Sequence, residues 1–541
     1  MRTLKKIILI LVLGATTYGF TTYKNDFFEI AKHIEIFTNL YKEINMNYVD
    51  EVNPSKLMTS AIKGMLKDLD PYTVYWDEQQ IQNARIKNSG RYTGIGATIE
   101  TNKTNVLLKN ITKGSAADKA GLRIGDKIKK IGDVNVSEYT EDAGELLKGS
   151  PDSEITLQIE RSNETKSIVL KRAIVKEKAV PFYKLIDENT GYIVLSQFSK
   201  SASHEMIEAL QSLKEQGANQ LILDLRNNPG GLLSEAVNVS NIFIEKGTTI
   251  TFTKSAIEDY NETYSTQNKA IDTKIPIAVL INERSASASE IVAGSLQDLD
   301  RGVVIGGRSY GKGLVQRPKQ LNYGTQAKIT ISRYYTPSGR CIQALDYEGG
   351  EGVRKKEQDY KEFKTRNGRK VYDAGGIKPD IEIDIEKENA VVKALQTKNM
   401  IFNFSVDFMY KYNELDVSTI NVNDKVFEEF EEYVSENNFE FESKTDKKLK
   451  ELEDMAFQEE YLETLQPSLN DLQDEINKQN NRQFREQKET IKKQITEHLL
   501  RQLGYDEAVY TYYTEKGEVI KEAIAILKNQ KQYEEILGYD K

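Results

Sequence analysis

Ile275–Gln316 reads IPIAVLINERSASASEIVAGSLQDLDRGVVIGGRSYGKGLVQ, and the rest of the chain is organised around it. It opens on an apolar run, Ile275–Ile281, of the kind that forms a strand buried on both faces. The chain then turns through Asn282–Arg284 into five small residues, Ser285, Ala286, Ser287, Ala288 and Ser289. The spacing of Ile291, Val292, Gly294, Ser295 and Leu296 predicts a helix after the turn. Ser287 and Glu290 stand at capping-box spacing, which places the helix start there. A serine at a strand-to-helix turn is exposed, and backbone N–H groups lie beside it. That geometry suits a nucleophile with an oxyanion hole. Taken alone, however, the turn reads as a helix cap, because caps far outnumber nucleophiles.

The partner decides between the two. A serine hydroxyl needs a base. The three histidines, His33, His204 and His498, all lack a glycine-rich or turn-like setting, and His204 falls in an amphipathic helical pattern over Ser203–Gln216. A Ser-His-Asp triad is therefore poorly supported. Lys312 fits better. It follows the buried-looking run Val303–Ile305 and stands between Gly311 and Gly313, which allow close backbone approach. A lysine desolvated there could act as a general base near neutrality. Gln316, four residues on, could hold the amine through its side-chain carbonyl. Ser309-Tyr310-Gly311-Lys312 is also an S-x-x-K string, as in penicillin-binding proteins. That chemistry needs a helical turn between serine and lysine, and the glycines of GGRSYGKG oppose one.

SASASEIVAGSLQD followed by GRSYGKGLVQ resembles the C-terminal processing (tail-specific) serine peptidases, which cut proteins near their carboxyl ends with a Ser-Lys pair. The resemblance assigns the nucleophile to Ser287, the general base to Lys312 and the lysine-orienting glutamine to Gln316. The first two are 25 residues apart (312 − 287), as in that family. The likeness extends to LDLRNNPGG (Leu223–Gly231), RYYTPSGRCIQ (Arg333–Gln343) and GGIKPD (Gly375–Asp380), and covers residues from about Asp26 to Ile385. It implies an oxyanion hole built from the backbone N–H of Ala288 and of Gly230 or Gly231, between which the sequence does not choose. Asp224 and Arg226 read as structural.

The 541 residues predict several domains. A net charge of −9 and the lack of a basic stripe argue against nucleic acid as the main partner. A single cysteine, Cys341, excludes an intrachain disulfide and a multi-cysteine metal site. It reads as a packed thiol in a strand over Tyr334–Gln343. No metal or organic cofactor is expected. MRTLKK followed by an apolar run to about Phe20 reads as a signal peptide or an uncleaved signal anchor, residues 1–24. Either implies an envelope protein on the periplasmic side of a bacterium, with the anchor as its membrane tie.

Residues 25–88 read as a helical region over Phe27–Lys67, for packing or dimerisation. Residues 89–176 read as a β-rich module resembling a PDZ domain. Gly94, Ile95 and Gly96 would be its loop for a peptide's C-terminal carboxylate, the adjacent strand pairing with that peptide. Here Ser115–Gly121 and Glu141–Lys148 are expected as helices. Residues 177–385 form the protease core, an α/β fold that the resemblance makes crotonase/ClpP-like, with apolar strands separated by helical patterns. Asp346–Val371 reads as a solvated insertion. Residues 386–541 read as a charged helical extension broken at Pro467 and Gly504. The whole is an α/β multidomain enzyme. Expected partners are protein substrates with exposed C-termini, a second copy of the chain as a homodimer, and a regulatory protein. The rival reading is a catalytically silent PDZ scaffold.

Overall fold

The computed structural model describes residues 27–384, 388–412 and 415–539. The expected signal segment at 1–24 and the boundary at 385/386 lie outside the described residues. Two compact units are formed. The first contains the described residues up to Asp77, with Arg317–Thr330 and Tyr347–Val353. Its helices cover 27–47 and Pro54–Lys67. The second helix starts where the sequence predicts, with Pro54 in its first turn and the Asn53 side chain accepting from Lys56 N at 3.0 Å. Strand Val74–Trp76 pairs antiparallel with residues 326–328. The Asp70 carboxylate anchors this edge, accepting from Tyr72 N, Thr73 N and the hydroxyls of Thr73 and Thr330. Helix 27–47 leaves Phe28, Ile30, Ile34 and Leu40 exposed.

The second unit holds everything else. Its centre is a six-stranded sheet in the order Phe182–Leu185, Thr190–Val194, Gln220–Asp224, Ile277–Ile281, Val303–Gly306, Ile381–Glu382. All pairs are parallel except the first. The inner strands are apolar without alternation because both faces are covered. Helices Ala202–Glu215, Leu233–Phe243 and Ala288–Asp298 pack on one face. The other is covered by residues far along the chain. Val519, Ile520, Ala523, Ile526, Tyr533 and Leu537 lie against Ile222, Ala278, Leu280 and Ile305. The Tyr533 hydroxyl accepts from Ile277 N at 2.9 Å.

A second sheet runs Ala97–Thr101, Val106–Ile111, Lys127–Ile131, Glu154–Arg161, Glu164–Lys171 around Leu108, Ile128, Leu157 and Ile159. Ser115 caps a single turn, Ala116–Lys119. The helix expected over Glu141–Lys148 is a 3₁₀ turn, Ala143–Leu147. Phe402 and Val406, from helix Met400–Lys411, complete this core. Gly125 (φ +93°) is glycine because a Cβ there would lie 2.5 Å from Val406 Cγ1.

Three expectations change. Pro467 sits inside helix Leu462–Glu486 and does not end it. It forfeits one ladder bond near the helix start, offset by Leu469 and Ile476 packing on Leu449. Gly504 does mark a break, since Gly504 and Tyr505 (φ +58°) are non-helical within Lys488–Lys516. Cys341 is half-buried and forms only an isolated bridge with Tyr335, because the strand ends at the 336–339 turn. The expected insertion contains short paired strands, among them Glu362–Lys364 with Lys370–Tyr372.

His498 is half-buried and lies edge-on to Phe402, with ring centroids 5.6 Å apart. Burial, then the charges of Arg501 and Lys109, lowers its pKa to about 3. The folded state therefore resists a proton that the unfolded chain accepts near 6.5. This contribution is fully present above about pH 6.5 and is lost as pH falls toward 3, at about 1.4 kcal/mol per unit. Urea unfolding at pH 5 and pH 7 is expected to show a stability loss of about 2 kcal/mol from this group. The loss should be absent in His498→Leu; equal losses in the two proteins would contradict it.

Candidate active site

Three loops meet at the carboxyl ends of three adjacent parallel strands: 226–231 after Gln220–Asp224, 282–287 after Ile277–Ile281, and 307–313 after Val303–Gly306. Such an edge is where open α/β sheets place their sites.

The three serines of the turn divide by their partners. Ser285 and Ser289 are fully buried, and their hydroxyls donate to Leu225 O at 2.8 Å and Asn228 O at 2.9 Å. They fasten the turn to the 226–231 loop. Ala286 N adds a bond to Asn228 O at 3.0 Å. Ser287, between them, is half-buried. It caps helix Ala288–Asp298 with φ +56° and ψ −111°. That backbone costs a non-glycine residue about 1–2 kcal/mol, and it holds because the surroundings over-determine it. Tyr334, fully buried, donates its hydroxyl to Ser287 O at 3.2 Å.

Glu290 supplies the strongest constraint. The sequence shows it only as a cap partner, yet it is fully buried and joins two loops. Its Oε2 accepts from Ser287 N at 2.8 Å and Lys312 N at 2.9 Å. Its Oε1 accepts from Gly311 N at 2.7 Å and Ser309 Oγ at 2.5 Å. Burial pushes this carboxyl above its ordinary value, and the four donors pull it back. The available signal was an acid inside a helix that is otherwise small and apolar, since a buried carboxylate must have partners.

Lys312 is half-buried in an irregular loop. A Cβ at Gly311 (φ +86°) would lie 2.4 Å from the Ala344 Cβ, and one at Gly313 would lie 2.8 Å from Gln343 N. The expected close approach is thus to residues 343–344. Ser309 is buried, donating to Glu290 and accepting from Ile377 N at 2.6 Å. With no helical turn between Ser309 and Lys312, the S-x-x-K string is a loop contact. Gln316 is the half-buried third residue of strand Leu314–Gln320.

Gly230 (φ +100°) packs on the turn. A Cβ there would lie 2.7 Å from Ala286 O and 3.0 Å from Ala288 N. Its own N–H donates to Asn228 Oδ1 at 2.9 Å. The N–H groups of Gly231 and Ala288 have no acceptor among the described residues. Asp224 is held by the Arg226 guanidinium and by the Tyr192 hydroxyl at 2.6 Å. His204 is exposed beside Glu208, and His498 lies against Phe402.

Gly94, Ile95 and Gly96 belong to the other sheet's module, not to this cluster. Gly94 pairs with Ala173, Ile95 is buried, and Gly96 (φ +80°) abuts Ser115.

One carboxylate thus ties a serine on a strained strand-to-helix turn to the lysine loop. The chain belongs to peptidase family S41 and is a serine-type peptidase with a PDZ domain. The profile of that family matches residues 189–353, and that of the PDZ domain 108–161. "Probable PDZ-protease, C-terminal helical domain" matches 391–527, and "Activating protease CtpB N-terminal domain" matches 17–80. The chain is similar to a probable CtpA-like serine protease of Staphylococcus aureus (strain MRSA252), 32% identical over 416 residues, covering 72% of this chain and 82% of the relative. It is also similar to the carboxy-terminal processing protease CtpA of Bacillus subtilis (strain 168), 29% identical over 427 residues, covering 76% and 89%. Among solved structures it is similar to a photosystem II D1 C-terminal processing protease, at 27% identity and a TM-score of 0.36, covering 64% and 92%.

Proposed function

We propose that this peptidase cuts proteins near their carboxyl ends with Ser287 as nucleophile and Lys312 as general base, Gln316 orienting the lysine amine. The observation that carries the reading is the Glu290 carboxylate, which holds the backbone of Ser287 and of Lys312 on one oxygen. Lys312 Nζ takes the Ser287 hydroxyl proton as Oγ attacks the scissile carbonyl carbon. The oxyanion is met by the Ala288 N–H and by that of Gly231, since Gly230 spends its own on Asn228. The C–N bond then breaks, Lys312 returns the proton to the leaving amine, and water hydrolyses the acyl-enzyme. No metal or organic cofactor enters these steps.

The PDZ module takes a substrate's terminal carboxylate on Gly94–Gly96, and the edge strand Ala97–Thr101, paired on one side only, supports a peptide lying beside it. The leader pattern at residues 1–24 supports an envelope location. The exposed apolar side chains of helix 27–47 support a second copy as partner. The test is reaction of the full chain with a serine-directed phosphonate, followed by peptide mapping. Label on Ser287 is expected. Label on Ser309 would instead indicate penicillin-binding chemistry, and no label would return the scaffold reading.

A further inference from the structure

The PDZ sheet has two unpaired edges, and they differ. At the Ala97–Thr101 edge the 3₁₀ turn Ala143–Leu147 stands alongside the far end of the strand. The Thr101 hydroxyl donates to Asp142 at 2.7 Å, and Ile99 Cδ1 stands 2.5 Å from where a Gly144 Cβ would be. At the opposite edge, strand Glu164–Lys171 pairs only with Glu154–Arg161. A groove of about 550 Å³ lies there, between this strand, the turn around Ser115 and strand Ala173–Lys176.

The groove presents three matched features. The first is a backbone edge. Arg172 N–H donates to Ser153 O, and its carbonyl accepts from Asp152 N. Antiparallel alternation therefore turns the N–H and C=O groups of Val169 and Lys171 away from the sheet. The second is apolar surface, since Val169 and Ile174 are 60% and 65% exposed. The third is charge. Lys113, Lys119, Lys171 and Lys176 line the groove, and among the described residues that line it none is acidic. Three of them lean on carboxylates that do not line it: Glu507, Glu154 and Glu205. The pairs of Lys113 and Lys171 are solvent-exposed, worth little, and yield to a denser acidic ligand, whereas Glu205 is buried and leaves only the Lys176 end at the surface.

We infer that this groove is a second docking site on the PDZ domain, distinct from the Gly94–Gly96 loop, for an extended acidic segment of a protein partner. The segment adds as a strand to Val169–Lys171. Its carboxylates face the four lysines, and its apolar side chains cover Val169 and Ile174. Because the backbone edge and the lysines are the recognition elements, a free carboxyl terminus is not required.

The test is fluorescence anisotropy on the full chain with a labelled ten-residue peptide alternating Glu and Val, its C-terminus amidated. Saturable binding is expected, weakened by salt. It should fall about tenfold in Lys119→Glu/Lys171→Glu. It should also fall in Val169→Pro, which removes an outward N–H and leaves the pairing with Glu154–Arg161 intact. Melting curves confirm that each variant is folded; if the charge reversal is not, Lys119→Gln/Lys171→Gln takes its place. The inference is overturned if these variants bind as wild type does, or if a Lys-Val peptide binds equally well. Binding only of the free-carboxylate peptide would move the site to Gly94–Gly96. Preference for single-stranded nucleic acid or anionic vesicles over the acidic peptide would also overturn it.

Discussion

Ser287→Ala is expected to lose roughly four to six orders of magnitude in kcat on an unstructured protein substrate, while folding as wild type does. The two halves of that expectation come from different atoms. The bond from Ser287 N to Glu290 and the bond accepted by Ser287 O from Tyr334 are backbone contacts and survive the exchange. Only the half-exposed hydroxyl is removed. Lys312→Ala should fall nearly as far, because the hydroxyl then has no base. The double variant should be little worse than either alone, since nucleophile and base act as a unit. The neighbouring serines make the control. Ser285→Ala and Ser289→Ala each remove one of the two donors to a buried carbonyl, the other being Asn228 N on Leu225 O and Ala286 N on Asn228 O, at a cost of about 0.5–1.5 kcal/mol in stability, with the chemistry retained. Rates and urea midpoints on the same preparations separate the two patterns. If Ser287→Ala still cuts at the wild-type rate, the nucleophile lies elsewhere.

The second large effect is expected at Glu290. Replacement by alanine leaves three backbone N–H groups and the Ser309 hydroxyl without their acceptor in a fully buried site. The stability cost is about 3–5 kcal/mol. Activity should fall by at least about a hundredfold, because the serine turn and the lysine loop lose their common anchor and displacements near 1 Å have that consequence. Glu290→Gln keeps the shape but turns an NH₂ group toward N–H donors. It should therefore recover part of the stability and little of the activity. Wild-type rates and midpoints in Glu290→Gln would show that the carboxylate charge does not hold the loops.

These expectations indicate which parts of the site a linear reading can reach. The strands were legible because Ile277–Ile281 and Val303–Ile305 are buried on both faces, so their sequence has only one solution. The proposed pairing of Ser287 with Lys312 came from a family spacing, and what the fold adds is the common backbone anchor on Glu290. The status of Glu290 was not, because three of its four donors lie 19–22 residues away, at Ser309, Gly311 and Lys312, and spacing within a helix shows only the fourth. Nor could Ser285, Ser287 and Ser289 be ranked by pattern. Their difference lies in Leu225 and Asn228, which reach them from the end of the neighbouring strand. The choice between Gly230 and Gly231 likewise rests on one side chain, Asn228. The groove beside Val169 had no sequence signature, because its lysines come from two segments more than 50 residues apart.

The covering of the central sheet by residues 519–537 bears on how the enzyme comes into being. Ile277 waits for Tyr533, a contact spanning 256 positions. Until synthesis has passed that point, one apolar side of the parallel strands is bare, although every residue of the serine turn and the lysine loop has already emerged. Long-range contacts of this kind slow folding and expose nascent chains to aggregation. They also make maturation late, so that a half-made polypeptide carries the chemistry of a protease before it has the completed sheet that would position it.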